Sequence, residues 1–166
     1  MTLLKFNEQM VQAIKDGRKT QTRRVMTPQP QPGFSYDGID IWSAVFSNEK
    51  ALLLVHFPFQ RHNHIDNETV IRITEFRAER LGDISESDCI KEGLGCLSKD
   101  GGLTYKYGIP GKDGLPGNDD FGWAWSKWTT EPKDAFKKLW NSIYPTGEKA
   151  WREDLWVWVI DFEVVK

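Results

Sequence analysis

Residues 156–165, Trp-Val-Trp-Val-Ile-Asp-Phe-Glu-Val-Val, restrict the possible folds more than any other part of the chain. Alternate side chains of an extended segment lie on opposite sides, so the aromatic and aliphatic residues at the even positions share one face. Asp161 and Glu163 lie on the other face. A strand with so large an apolar face is stable only when that face is covered. The pattern therefore predicts a strand that closes a sheet or a barrel.

Three segments carry the start and stop signals of helices. Residues 7–17 begin with a capping Asn and end with Gly, and residues 85–93 begin with a Ser-x-x-Asp capping pattern and also end with Gly. In the third segment Thr130 is the predicted cap, and Pro132 occupies the first turn. The buried stripe of this third helix is predicted to be Phe136, Leu139, Trp140 and Ile143.

Further strands are predicted at residues 39–46, 51–57 and 69–76, where β-branched and aromatic residues are concentrated. Helices and strands of this number predict an α+β fold. It would have about five or six mostly antiparallel strands, with two or three helices packed outside them.

Composition limits the class of protein. With 166 residues, 39% of them hydrophobic and 28% charged, the chain is expected to form one globular domain over residues 1–166. No apolar run reaches the roughly 18–20 residues that cross a bilayer, so no membrane partner is expected. Cys89 and Cys96 have no metal-type spacing around them, and two free thiols fit a reducing cytoplasm. His56, His62 and His64 lack a convincing third ligand, so neither a metal nor a cofactor is expected.

The Gly- and Pro-rich residues 95–122 predict a long surface loop. Four Gly-x-x triplets within it are too few to form a collagen helix, so a lid or a binding loop is the expectation. Trp123 and Trp125 follow directly, and they are candidates for stacking against nucleobases.

Residues 18–24, Arg-Lys-Thr-Gln-Thr-Arg-Arg, hold four cations in a chain whose net charge is -2. Such a local concentration of positive charge is typical of a site for phosphate or nucleic acid. A solvated loop after a helix is the alternative, because basic residues commonly end helices. The overall acidity argues against a protein that coats nucleic acid without specificity. The residues predicted to bind the ligand here are Arg18, Thr20, Arg23 and Arg24.

Three segments follow one another along the chain in the order of a known family. They are residues 16–24, residues 80–93, which run from Arg-Leu-Gly-Asp-Ile-Ser to Lys-Glu-Gly, and residues 156–162. Together they resemble the ASCH domain, a PUA-like β-barrel family, and specifically its phage and prophage branch. The Gly-Arg-Lys-Thr-x-Thr motif carries most of the resemblance. The likeness implies a PUA-like barrel with a pocket for a modified nucleoside or an RNA segment.

The resemblance also implies a possible reaction. The acetylcytidine amidohydrolases of this family use a Lys, a Thr and a Glu, and the matching residues here are Lys19, Thr22 and Glu92. Thr22 would be the nucleophile and Lys19 its base, while Glu92 would orient Lys19 or pass a proton to the leaving amine. Other members are described as ribonucleases or RNA-binding modules, so the family does not fix the reaction.

One segment of the family pattern is missing. Members of the phage branch usually carry Pro-Gly-Asp-x-Leu-Trp-Val-Arg-Glu on a strand beside the pocket, and this chain has no such stretch. The loss weakens the case for catalysis more than the case for the fold. The first hypothesis is therefore a domain that binds RNA or a nucleotide. The alternatives are a metal-independent amidohydrolase or ribonuclease, and a non-catalytic phage accessory protein with a protein partner. No oligomeric state is predicted.

Overall fold

The structure is a computed structural model that describes residues 4–30 and 62–165. The strands predicted at 39–46 and 51–57, and His56, lie outside the described residues. The described part contains the helices α1 (Glu8–Lys15), α2 (Glu86–Lys91) and α3 (Pro132–Ile143). Its strands are β1 (Gln21–Val25), β2 (His62–His64), β3 (Val70–Arg80), β4 (Gly95–Leu97), β5 (Lys106–Gly108) and β6 (Trp156–Val164). The predicted α+β class is confirmed.

The chain divides into two compact units. The first, here called the sheet unit, comprises residues 1–5, 23–83 and 152–166. The second, the helical unit, comprises residues 6–22 and 84–151. The division falls within β1, between Thr22 and Arg23.

The sheet unit is built on a four-stranded sheet in the order β1-β6-β3-β2. The strand β6 pairs antiparallel with β3 from Trp156 opposite Arg80 to Val164 opposite Ile71. A bulge between Ile73 and Glu75 shifts the register, so the buried positions of β3 change from odd to even numbers. The strand predicted at 156–165 is confirmed, and its central residues are buried on both faces: Val157, Trp158, Val159 and Ile160.

The helical unit follows the predicted helix signals closely. Asn7 caps α1 by accepting a hydrogen bond from the Met10 amide, and Ser85 caps α2 by accepting one from the Asp88 amide. These bonds satisfy amides that have no partner within the helix. The buried residues of α1 and α3 are Met10, Ala13, Ile14, Pro132, Ala135, Phe136, Leu139 and Trp140.

Three sequence expectations need correction here. Glu131, not Thr130, precedes the first turn of α3, and it makes no capping hydrogen bond. Pro132 occupies the first turn, where a missing amide hydrogen leaves no donor of the helix unsatisfied. Ile143, at the end of that helix, is 42% exposed rather than buried. The loop expected at 95–122 contains the antiparallel pair β4 and β5, with Gly95 opposite Gly108.

No helix in the described ranges is both long enough and apolar enough to span a membrane. Cys89 is buried in α2 and Cys96 is exposed on β4, and neither forms a disulfide within the described residues.

The Gly- and Pro-rich segment after β5 folds back closely on itself. Pro110 and Pro116 form an isolated bridge, and the Gly111 amide donates to the Leu115 carbonyl at 2.7 Å. A Cβ placed on Gly122 would lie 2.5 Å from the Gly111 nitrogen and 2.6 Å from the Pro110 carbonyl carbon. Backbone atoms cannot move aside as a flexible side chain can, so this approach requires glycine.

We expect Gly122→Ala to destabilise the protein by about 1–3 kcal/mol more than Gly114→Ala, as overpacked substitutions do. The two glycines have nearly equal φ, +80° and +79°, but nothing lies within 4 Å of a Cβ on Gly114. The comparison therefore separates the backbone contact from the strain of the left-handed conformation. Urea unfolding of both variants measures the difference. Equal destabilisation would show that the contact at Gly122 is easily relieved.

Candidate functional site

The basic segment after α1 runs beside the end of α2. Lys19 and Glu92 form an isolated antiparallel bridge, and the Thr20 amide donates to the Lys91 carbonyl at 3.0 Å. All of these residues belong to the helical unit. The backbone bridge places the side chains of Lys19 and Glu92 next to each other, although they are 73 positions apart in the sequence.

The Lys19 ammonium is fully hydrogen-bonded in this position. Its Nζ donates to Glu92 Oε2 at 2.8 Å, to the Glu92 carbonyl at 2.9 Å and to the Gln21 carbonyl at 2.8 Å. An ammonium has three N–H donors, and all three have an acceptor. The side chains of Lys19 and Glu92 are only 2% and 5% exposed. The pair is therefore a buried, satisfied ion pair.

Thr22 lies at the second position of β1 and is 2% exposed. Strand alternation places its side chain on the opposite side from that of Gln21. Among the described residues, no hydrogen bond joins Thr22 to Lys19 or to Glu92. Of the three residues that match the amidohydrolases, Lys19 and Glu92 are therefore in contact. Thr22, three positions after Lys19, is buried but bonds to neither of them. Thr20 is exposed.

The three arginines of the basic segment also have acceptors within the protein. Arg18 donates to the Gly93 carbonyl at 2.8 Å and pairs with Asp16 at 2.9 Å. Arg23, in the sheet unit, pairs with Glu79 at 3.0 Å, and its side chain is fully buried. Arg24 donates to the backbone carbonyl of residue 5 at 2.7 Å. Much of the positive charge expected to attract phosphate is therefore engaged by groups of the protein itself.

The structure shows a different open site in the helical unit, here called the Trp125 cavity. It has a volume of about 290 Å³ and is lined by Lys99, Asp100, Thr104, Lys106 and Trp125. The connection between β4 and β5 supplies the first three residues, β5 supplies Lys106, and the 3₁₀ turn Trp125–Lys127 supplies the indole.

The Trp125 ring is held on one side and approached by cations. Its centroid lies 5.5 Å from that of Trp128, whose side chain is buried. The ammonium groups of Lys99 and Lys106 lie 4.7 Å and 5.1 Å from the Trp125 centroid. Both distances fall within the range of cation–π attraction. The half-buried indole is thus an aromatic surface that packs against Trp128 and has two positive charges beside it.

Asp100 holds the loop that lines this cavity. Its Oδ1 accepts from the Ser98 hydroxyl at 2.7 Å and from the Thr104 amide at 2.8 Å. These bonds favour the ionised carboxyl, and they lower its pKa to about 2, the Ser98 hydroxyl having the largest effect. The Thr104 hydroxyl also interacts with this carboxyl and lowers its pKa further. The carboxylate therefore remains charged at neutral pH, and Ser98 and Thr104 take up part of its capacity to accept hydrogen bonds.

Trp123 does not line this cavity. Its carbonyl accepts from Trp128 Nε1 at 3.0 Å and from the Gly117 amide at 2.9 Å, so its backbone orders the loop. Of the two tryptophans predicted to stack on bases, the structure brings only Trp125 into the cavity.

The sequence reasoning missed four residues of the cavity: Lys99, Asp100, Thr104 and Lys106. The signal that would have found them is the turn pattern Ser-Lys-Asp-Gly-Gly at residues 98–102. A hairpin turn at this pattern predicts that Lys99, within the turn, lies close to Lys106, which begins the following strand.

In the described residues, no group of three or more His, Cys, Asp and Glu side chains is arranged to hold a metal ion. His62 and His64 are exposed on β2.

Comparison with known proteins gives one distant structural similarity. Neither a protein-family profile nor a curated protein sequence matches the chain. Among solved structures, an ASCH domain from Lactobacillus crispatus JV V101 aligns with 93% of this chain and 70% of its own, with 16% identity and a TM-score of 0.37. It is an example of the family that the sequence motifs resemble. At this level of similarity, family and function must be argued from the residues of the chain itself.

We expect Lys19→Met to destabilise the protein by about 3–5 kcal/mol, because it leaves the Glu92 carboxylate buried without its partner. Lys19→Met/Glu92→Gln removes the second charge and should recover part of that loss. Lys133→Met, which removes an exposed lysine of α3, should change the stability by less than about 0.5 kcal/mol. Urea unfolding measures all three. A Lys19→Met variant as stable as the Lys133 control would show that the pair is not structural.

Proposed function

We propose that this chain is a single ASCH-type domain, of the phage and prophage branch that its motifs resemble, and that it binds RNA or a nucleotide. The observation that carries the binding proposal is the Trp125 cavity. It combines a fixed indole, two lysine ammonium groups and a threonine hydroxyl in a volume of about 290 Å³. The smallest ligand pockets have volumes of about 300 Å³, so the Trp125 cavity suits a single base or a mononucleotide.

The contacts of Trp125 can be exchanged for those of a ligand. A cation–π contact at an exposed site contributes about 0.5–1 kcal/mol. A nucleobase stacked on an aromatic side chain contributes about 1–3 kcal/mol. A base can therefore displace an ammonium group from the ring, and the flexible lysine stem can carry that ammonium to the adjacent phosphate.

The basic segment supports this proposal less directly. Lys19 is buried against Glu92, and Arg23 is buried against Glu79, so neither ammonium nor guanidinium is presented to solvent. The Arg18 side chain pairs with Asp16 but is still partly exposed to solvent. We assign the main part of the phosphate attraction to Lys99 and Lys106, with Arg18 of the same unit as a secondary contributor.

We expect Trp125→Leu to weaken the binding of a short single-stranded RNA by about 5- to 150-fold, the equivalent of losing one stacked base. Lys99→Met/Lys106→Met should reduce the slope of log affinity against log salt by about 1.4, as two phosphate contacts are lost. Lys133→Met is the matched control and should bind like the wild type. Fluorescence anisotropy at several salt concentrations gives these values.

Two outcomes would contradict the binding proposal. One is no measurable RNA or nucleotide binding by the wild type at low salt. The other is an equal loss of affinity in Lys133→Met and in the cavity variants. Self-association of a wild type that binds no RNA would instead favour the phage accessory alternative.

A second candidate function rests on the contact between Lys19 and Glu92. These are two of the three residues that match the acetylcytidine amidohydrolases, and they lie 2.8 Å apart. In that reaction the Thr22 hydroxyl would add to the acyl carbon, the C–N bond would break, and the leaving amine would take the proton. Water would then release the acyl group from Thr22. The satisfied, buried Lys19 must first lose an acceptor to take part, which is why we place this function second.

The hydrolase proposal is tested with acetylcytidine as substrate and chromatography of the products, cytidine and acetate. If the function holds, the wild type yields both products and Thr22→Val, which lacks the hydroxyl but keeps the shape, yields neither. Thr130→Val removes an exposed hydroxyl outside the basic segment, and it should retain turnover. The absence of turnover by a folded wild type would refute the proposal, and so would equal activity of the two variants.

A further inference from the structure

The Trp125 cavity carries charges of both signs, and the negative one has a specific geometry. Lys99 and Lys106 are positive, whereas Asp100 is a carboxylate. A site that attracted phosphate alone would be weakened by a neighbouring carboxylate. Phosphate binding alone therefore does not explain why a carboxylate lines this cavity.

Part of that reason is structural. Asp100 Oδ1 accepts from the Ser98 hydroxyl and the Thr104 amide, and Ser98 Oγ in turn accepts from the Gly102 amide at 2.9 Å. These bonds order the connection between β4 and β5. Both bonds to Asp100 end on Oδ1, and the Thr104 hydroxyl adds a further contact to this carboxyl, which lines the cavity. A carboxylate has about four acceptor positions, so capacity to accept hydrogen bonds from a ligand remains.

A carboxylate oxygen only accepts hydrogen bonds, and this restricts the base that it can contact. Guanine presents two neighbouring donors on its Watson–Crick edge, the N1–H and the exocyclic amino group. Adenine and cytosine each place their amino group beside a ring nitrogen that accepts. Uracil places its single N–H between two carbonyl oxygens. A carboxylate beside a stacked base therefore favours guanine, and it repels the acceptor edges of the other three bases.

We infer that the Trp125 cavity binds a guanine nucleotide, with the base stacked on Trp125, its N1–H and amino group donating to Asp100, and its phosphate beside Lys99 and Lys106. This inference rests on the proposed binding function, and it names the base that the same site selects. The nucleotide can be free or part of a single-stranded RNA, because the cavity contacts the same groups in both.

The ionisation of Asp100 supports the inference. Its pKa of about 2 means that the carboxyl stays an acceptor throughout the range in which binding would be measured. The substitution that tests it is Asp100→Asn. The asparagine Oδ1 can still accept from the Ser98 hydroxyl and the Thr104 amide, while the amide nitrogen replaces the acceptor Oδ2 by a donor.

The experiment compares the binding of GMP, AMP, CMP and UMP to the wild type, Asp100→Asn and Asp113→Asn by titration calorimetry. Asp113 is a matched control, because its Oδ1 accepts from the Leu115 amide in another loop of the helical unit and does not line the cavity. We expect the wild type and Asp113→Asn to bind GMP about 5- to 150-fold more tightly than the other nucleotides. Asp100→Asn should lose this preference and keep its melting temperature.

The possible failures are distinguishable. Binding that depends on Trp125 but shows no preference for GMP overturns the guanine inference and leaves the binding proposal intact. A GMP preference that persists in Asp100→Asn also overturns it. Binding that does not depend on Trp125 overturns both.

A second set of titrations identifies the source of the nucleotide. It compares GMP with a short oligouridine that has one central guanosine, and with the same oligomer without it. Tighter binding of the guanosine-containing oligomer than of GMP indicates RNA, and equal binding indicates the free nucleotide. Equal affinity for the two oligomers would count against the inference.

Discussion

The contact on which the helical unit most depends is the buried pair of Lys19 and Glu92. Removing each charge from water costs several kcal/mol, and the pair is tolerable only because the geometry returns most of that free energy. The three acceptors of Lys19 Nζ, two of them backbone carbonyls, supply it. Because those carbonyls belong to Gln21 and Glu92, the ammonium also fixes the path of the chain on both sides of the bridge. A shift of either segment would leave a buried charge without its partner, so the segments after α1 and α2 have one permitted register.

The same contact gives the motif around Lys19 a structural role that does not depend on any reaction. Lys19 and Glu92 are joined by the backbone bridge and are buried together, so the fold of this chain alone accounts for the two residues. Catalysis adds further demands, above all that a reacting group be accessible to substrate. The side chains of Lys19 and Glu92 are only 2% and 5% exposed. They therefore stabilise the fold, but in this conformation a substrate cannot reach them.

Much of the fold follows from local signals in the sequence. The strand at Trp156–Val164 is indicated by its run of β-branched and aromatic residues. The starts of α1 and α2 are indicated by capping side chains that lie three residues before the amides they bind. These signals act over one helical turn or one strand, so a single sequence contains them in full. The errors occurred where two local signals competed. Threonine is a favoured capping residue, so Thr130 was expected to cap a helix that begins at residue 131. The helix instead begins at Pro132, one residue later.

The site was less predictable, because its contacts join residues that are far apart in the sequence. Nothing near Arg23 indicates that Glu79, 56 positions away, will neutralise it. Lys106 and Trp125 meet only after the chain between them has folded back through the close contacts around Gly122. Charge counted along the sequence therefore identified the basic segment, whereas charge in the folded protein is available elsewhere. Lys99 and Lys106 lie against the face of an indole, and no carboxylate of the described residues pairs with either ammonium group. Since a cation–π contact is weaker than the stacking of a base, a ligand can replace it without breaking an ion pair between described residues.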